Sequence, residues 1–135
     1  DAEKVTQDLM HYQDLISDII KELGQSIEMA QEAGLGRNKI IIDPGLGFGK
    51  NLAQNRLLIK RLEEFKSLGQ PLLIGASRKT FIGQTLELEV GQRLEGSLAV
   101  VAMAIMNAAD IVRVHDVRES KRVAMMTDAV IRENG

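Results

Sequence analysis

Three clusters in this 135-residue chain combine residue types able to hold a flat, polar or anionic ligand. Asp43-Pro44-Gly45-Leu46-Gly47-Phe48-Gly49-Lys50 sets a carboxylate ahead of three glycines. A carboxylate accepts two hydrogen bonds and so suits a ring with adjacent N–H donors, and the glycines let backbone turn tightly and approach such a ring. Ser77-Arg78-Lys79 follows Gly75 with two cations, and an ammonium there can bond a ring carbonyl or pair with an anion. Arg113 and His115 stand two apart, hence on one face of a strand. Between Val112 and Val114, Arg113 reads as a buried guanidinium that needs an anion or a flat π surface. Plainer readings compete: an Asp43 that orders its own turn, a solvated basic loop, an internal ion pair of Arg113 with Asp43 or Asp110, and a strand-end His115 bonded to backbone. None of these explains the large aromatic Phe48 inside the glycine loop.

The elements that must position these clusters are legible from periodicity. Val5, Leu9, Tyr12, Ile16, Ile19, Leu23, Ile27 and Ala30 recur at steps of three and four, which predicts one amphipathic helix, or two meeting near Gly24, stopping at Gly34. Lys39–Asp43 is a continuous β-branched run that predicts a parallel strand covered on both faces. Asn51 with Gln54 makes a capping box for a helix through Leu52, Leu58, Leu62 and Phe65 that ends before Gly69. Leu72–Ile74 is a second strand, Arg93–Asn107 a helix whose alanines permit close approach, and Ile111–Val114 a third strand. Asp116 with Glu119 predicts a second capping box, opening a last helix through Val123, Met126, Ala129 and Val130. One helix followed by three strand-plus-helix units is the order of a parallel α/β protein, and each cluster then lies at the carboxyl end of a strand, where such folds bind ligands. Three parallel strands leave open edges and a closed (β/α)₈ barrel takes ~250 residues, so the chain reads as one domain over 1–135 that is part of a larger unit.

Composition removes several function classes. There is no cysteine, so no disulfide or thiolate metal site, and two histidines offer little to a transition metal. Seventeen basic against nineteen acidic residues give a net charge of −2, which implies no broad surface for nucleic acid, and 3% aromatic content supplies no stacking platform. No apolar run approaches the ~20 residues of a membrane span, so a soluble, cytoplasmic protein is expected. Gly45-x-Gly47-x-Gly49 is not a dinucleotide fingerprint, since its third glycine comes too early, and Lys50 is followed by Asn51 rather than the Ser or Thr of a phosphate loop.

Taken together, D-P-G-L-G-F-G-K from Asp43, G-A-S-R-K from Gly75 and R-V-H-D from Arg113 resemble dihydropteroate synthase, in order and in spacing, over nearly the entire chain. The resemblance implies a (β/α)₈ TIM barrel of which this sequence supplies strands six to eight. It implies a folate-pathway transferase that joins 6-hydroxymethyl-dihydropterin diphosphate to para-aminobenzoate with Mg²⁺ assistance, releasing pyrophosphate. Asp43 would hold the pterin N–H edge, Lys79 its carbonyl and ring nitrogen, and Arg113 would stack on its face and, with His115, border the diphosphate pocket. Gly47, Phe48, Gly75, Ser77 and Thr80 would complete the substrate site, including the para-aminobenzoate pocket that sulfonamides occupy. Thr80 stands where many members carry serine, keeping a hydroxyl. No metal ligand is expected in this chain: Mg²⁺ would be held by the substrate diphosphate and by groups of the earlier strands, without which the chain alone is expected to be inactive. The last two helices are the expected homodimer surface. The competing functions are a pterin-binding methyltransferase domain, which has no reason to keep Ser77-Arg78-Lys79 with Arg113 and His115, and a non-catalytic assembly fragment, which truncation favours for this chain while the intact motifs favour an enzyme for its parent.

Overall fold

A computed structural model describes the backbone of residues 2–132 and the side chains of residues 15–132. The predicted amphipathic stretch forms one unbroken helix, α1 (Ala2–Glu32), which ends where Gly34 takes φ +101°. Ile16 and Ile27 are buried and Ile19 and Leu23 pack against the core, as their spacing requires. The side chains of Val5, Leu9 and Tyr12 lie outside the described residues. Helix α2 (Leu52–Lys60) opens on the expected capping box: Gln54 N donates to Asn51 Oδ1 at 2.8 Å and Asn51 N to Gln54 Oε1 at 3.0 Å. A 3₁₀ stretch over Leu62–Leu68 continues it to Gly69, at φ +71°. Strand β1 (Leu73–Gly75), helices α3 (Thr80–Leu86) and α4 (Leu94–Met106), strand β2 (Ile111–Arg113) and helix α5 (Val117–Ile131) complete the order.

The strands are parallel, Leu73 opposite Ile111 and Gly75 opposite Arg113. Of the first predicted strand only a single parallel bridge remains, Ile42 with Leu72, because Arg37–Lys39 winds into a 3₁₀ turn and shortens the extended run. Nor is that strand covered on both faces by the described residues. Ile42, Leu72, Ile74 and Val112 face the helices and join the core built around Phe65, Leu58, Leu62 and Val101. Alternate residues face the other way, and there Ile41 is 54% and Ile111 37% exposed. The sheet is thus clothed on one side and bare on the other, with Asp43, Gly75 and Arg113 on the bare side by the strict alternation of strand side chains.

Helix α3 has no counterpart among the elements expected from periodicity. It begins directly after Lys79 and packs its Ile82 and Leu86 into the space left by Gly96 of α4, so close that a Cβ at Gly96 would strike both. Asp116 precedes α5 as expected, yet its carboxylate does not cap the helix; it is drawn instead to Arg78. Val123 packs against the core, while Met126 and Val130 are exposed.

Candidate functional site

The glycine loop after Ile42 is held by its own polar groups. Gly45 N donates to Asp43 Oδ1 at 2.9 Å, so the turn-ordering reading of Asp43 holds for one of its two oxygens. Gly45, Gly47 and Gly49 all have positive φ, a path that side-chain-bearing residues follow only under strain. Two residues to which the sequence assigns no role fasten this path. The buried Asn55 accepts from Gly47 N at 2.8 Å, and Lys50 Nζ donates to Gly45 O at 2.8 Å and Phe48 O at 3.1 Å. Burial holds the Lys50 ammonium below the ordinary lysine pKa despite the neighbouring Asp43 and Glu22. Spacing contained a signal for Asn55, an amide one helical turn beyond the Asn51 cap, though not for its target.

The second cluster divides in function. Arg78 adopts φ +56°, its N–H donates to Ser97 Oγ of α4 at 2.9 Å, and its guanidinium pairs with Asp116 at 2.9 Å. That pairing raises the Arg78 pKa and lowers that of Asp116, each mainly through the shared hydrogen bond. Arg78 is therefore engaged within the protein, joining the end of β1 to the start of α5. Lys79 points the other way, its Nζ 4.8 Å from the centre of the Phe48 ring, a cation–π distance. Burial is the largest influence on its ammonium, Arg113 adds repulsion, and together they lower its pKa against the pull of Asp43.

Glycine at 75 explains how the cations meet. A Cβ there would stand 2.7 Å from Arg113 Nη2 and 3.4 Å from Lys79 Nζ, so both side chains cross bare backbone. Gly47 is its counterpart in the loop, where a Cβ would stand 3.1 Å from Lys79 Cδ. Arg113 is exposed on the bare face of β2, not buried as its apolar neighbours suggested, because no further layer covers that face among the described residues. Neither alternative partner holds it: Asp110 lies at the other end of the strands with Lys66, and Arg113 makes no ion pair among the described residues. His115 is fixed by the buried Ser77, whose Oγ accepts from His115 N at 3.2 Å and lies 2.9 Å from Nδ1. Gly75, Ser77, Lys79, Arg113 and His115 line one small cleft of about 110 Å³, and a larger one of about 860 Å³ adjoins it, lined by Gly47, Phe48, Lys79 and Thr80.

The three clusters thus converge on one rim, which offers a carboxylate with a spare oxygen, two mutually repelling cations, an imidazole and an aromatic wall. Such a set can grip a planar ring along a donor–acceptor edge and an anion beside it. Among the described residues no three His, Cys, Asp or Glu side chains gather as a metal site would need, and no helix is long and apolar enough to cross a membrane.

Known proteins resemble this chain in sequence and fold. Dihydropteroate synthase of Clostridium beijerinckii is 46% identical over 127 residues, covering 93% of this chain and 47% of that protein. The Clostridium difficile enzyme crystallised with pteroic acid superposes with a TM-score of 0.85 at 46% identity, covering 88% of this chain and 45% of that one. The Yersinia pestis enzyme in complex with a sulfonamide drug gives 0.84 at 42% identity, over 86% and 42% of the two chains. The chain spans about half the length of the relatives it matches. The family model for pterin binding enzymes matches residues 1–115, a span that takes in all three clusters. On the strength of that match, the chain belongs to the pterin binding enzyme family.

Proposed function

We propose that these residues form the pterin- and diphosphate-holding part of a dihydropteroate synthase. The observation that carries this is the convergence of Lys79 and Arg113 over the bare backbone of Gly75, on the rim that holds Asp43 and without an ion-pair partner of their own among the described residues. Two cations brought that close repel unless a ligand supplies electron density, and a pterin with its diphosphate supplies both a carbonyl edge and an anion.

On this reading the spare Asp43 oxygen and its partner accept the pterin N–H edge, Lys79 donates to the ring carbonyl and nitrogen, and the Arg113 plane lies on the ring face. Arg113 and His115 border the diphosphate, so the Arg113 charge and the N–H groups of both stabilise pyrophosphate as its C–O bond to the pterin methylene breaks. The aniline nitrogen of para-aminobenzoate then forms the C–N bond from the cleft walled by Phe48 and Thr80, losing a proton. Ser77, Gly75 and Gly47 shape that space. Catalysis rests on positioning and charge stabilisation, with no covalent enzyme intermediate. Mg²⁺ would serve to neutralise the diphosphate; the described residues do not form an oxygen cage for it, so it would be held chiefly by the substrate and by groups outside this chain.

The bare face of the sheet supports placing the three strand positions as the sixth to eighth of a (β/α)₈ barrel, whose interior that face would line. Full turnover then requires groups that lie outside these 135 residues. The exposed Met106 of α4 and Met126 and Val130 of α5 support a homodimer through those helices, and sedimentation as a monomer would count against it. The absence of cysteine fits a reducing cytoplasm. The deciding experiment is calorimetric titration of a pterin ligand into the folded chain with Asp43→Ala as control. Binding that vanishes in the control supports the assignment, and equal binding by both chains refutes it.

A further inference from the structure

Ser77 is 6% exposed and its hydroxyl faces two nitrogens of one residue, the backbone N–H and the ring Nδ1 of His115. The geometry favours one direction for the ring bond. The backbone N–H already donates to Oγ at 3.2 Å. If Nδ1 also carried a proton, Oγ would receive two donors and its own proton would have no hydrogen-bond partner among the described residues. With Nδ1 bare, the hydroxyl donates to it at 2.9 Å and every group in the trio is satisfied. Leaving a buried donor unsatisfied disfavours the alternative by about tenfold or more.

We infer that Ser77 is a positioning residue that holds neutral His115 as the Nε2–H tautomer, with its ring lone pair turned inward and an N–H donor left for the cleft it shares with Lys79 and Arg113. The small cleft then shows an incoming anion three side-chain donors: ammonium, guanidinium and imidazole N–H. The other tautomer would aim a lone pair at the anion. Arg78 preserves the arrangement by holding Asp116, the residue after His115, so that this carboxylate is engaged at 2.9 Å. The use made of the donor rests on the synthase reading above; the tautomer itself does not.

The test is ¹⁵N-histidine NMR of the ligand-free full chain above neutral pH. The chain has two histidines, and His11→Gln leaves His115 as the one signal source. The expected spectrum shows Nδ1 with a pyridine-like and Nε2 with a pyrrole-like nitrogen shift, the ring protons coupling in the pattern of Nε2–H. Ser77→Ala should bring the ring to a mixture, a loss of about tenfold in tautomer preference, and Ser77→Thr, which keeps a hydroxyl, should restore it. A wild-type ring protonated on Nδ1, or a Ser77→Ala spectrum indistinguishable from wild type, overturns the inference. The wild-type spectrum decides even if Ser77→Ala does not fold, and it does so whether or not a pterin binds.

Discussion

The two ends of the parallel strands use the same residue types in opposite ways. At the amino ends Lys66, Asp110 and Arg37 are all occupied by protein. Lys66 pairs with Asp110, whose Oδ2 also accepts from Leu72 N at 2.9 Å. Arg37 donates to Gln70 Oε1 at 2.9 Å and to Leu68 O at 2.6 Å, and the buried Gln70 amide donates to Arg37 O and Ile40 O. At the carboxyl ends Lys79 and Arg113 have no acid partner among the described residues, and Asp43 spends one oxygen on its own turn. A polar group satisfied by protein contributes to stability, whereas cations held together without a counter-charge reduce stability and are available to a ligand. The sheet is thus tied together at one end and prepared for a ligand at the other.

Exchanging one carboxylate at each end should separate the two uses. Asp43→Asn keeps an oxygen for Gly45 N and so keeps the turn, but it halves the accepting edge and removes its charge. Binding of a pterin should fall about 100-fold, the worth of one to two charge-assisted hydrogen bonds, with melting temperature nearly unchanged. Asp110→Ala should do the reverse. It removes the Lys66 pair and leaves Leu72 N–H without its partner, at a cost of about 2 kcal/mol, while pterin binding by the folded fraction stays at the wild-type level. Thermal melts and titrations on both variants check this, and a large binding loss in Asp110→Ala would erase the distinction between the ends.

How much of this is legible in the sequence follows from how local each feature is. The Asn51–Gln54 capping box, the stop at Gly34 and the parallel pairing of the second and third predicted strands depend on neighbours in sequence or on simple periodicity, and all are present, the strands running Leu73–Gly75 and Ile111–Arg113 rather than Leu72–Ile74 and Ile111–Val114. The convergence of the three clusters is legible too, because strand ends in parallel folds gather on one rim. Helix α3 is not. Gly83 lowers its helix propensity, and that glycine is required by Arg93, whose guanidinium occupies the space of a Cβ there. The split between Arg78 and Lys79 is equally hidden, since two adjacent cations look alike until the φ of +56° at Arg78 sends one to Asp116 and the other to Phe48. Arg113 is exposed where its apolar neighbours predict burial, because cover on the second face of a sheet is not encoded in the strand itself.

Gly75→Ala is a milder probe of the carboxyl end. The added methyl meets the tips of two long side chains rather than backbone, so they can swing aside and the fold should lose little stability. Arg113 and Lys79 would then sit away from the ring position, and pterin affinity should fall about tenfold, the worth of one hydrogen bond to a charged group. A large fall in melting temperature with unchanged affinity would show Gly75 to serve the strand rather than the site.

The smallest effect is a pH dependence, which makes stability rise with pH at both ends but in different pH windows. Asp110 is subject first to burial, which raises its pKa, but the hydrogen bonds from Lys66 and Leu72 N–H outweigh this and hold it low. Its contribution to stability is therefore present above the ordinary Asp pKa and is lost as pH falls through the depressed folded value. Lys79 has its folded pKa lowered, by burial first and Arg113 second. Between that value and the ordinary lysine pKa the unfolded chain binds more protons, so the Lys79 contribution makes stability rise with pH across this window. Pterin binding that uses the ammonium should move oppositely, weakening as pH rises through the lowered folded value, before an unperturbed lysine loses its proton. Titrations of wild type and Lys79→Met across that window check this: the methionine chain should bind more weakly throughout and lose the slope, and an equal slope in both chains would assign the titration to another group.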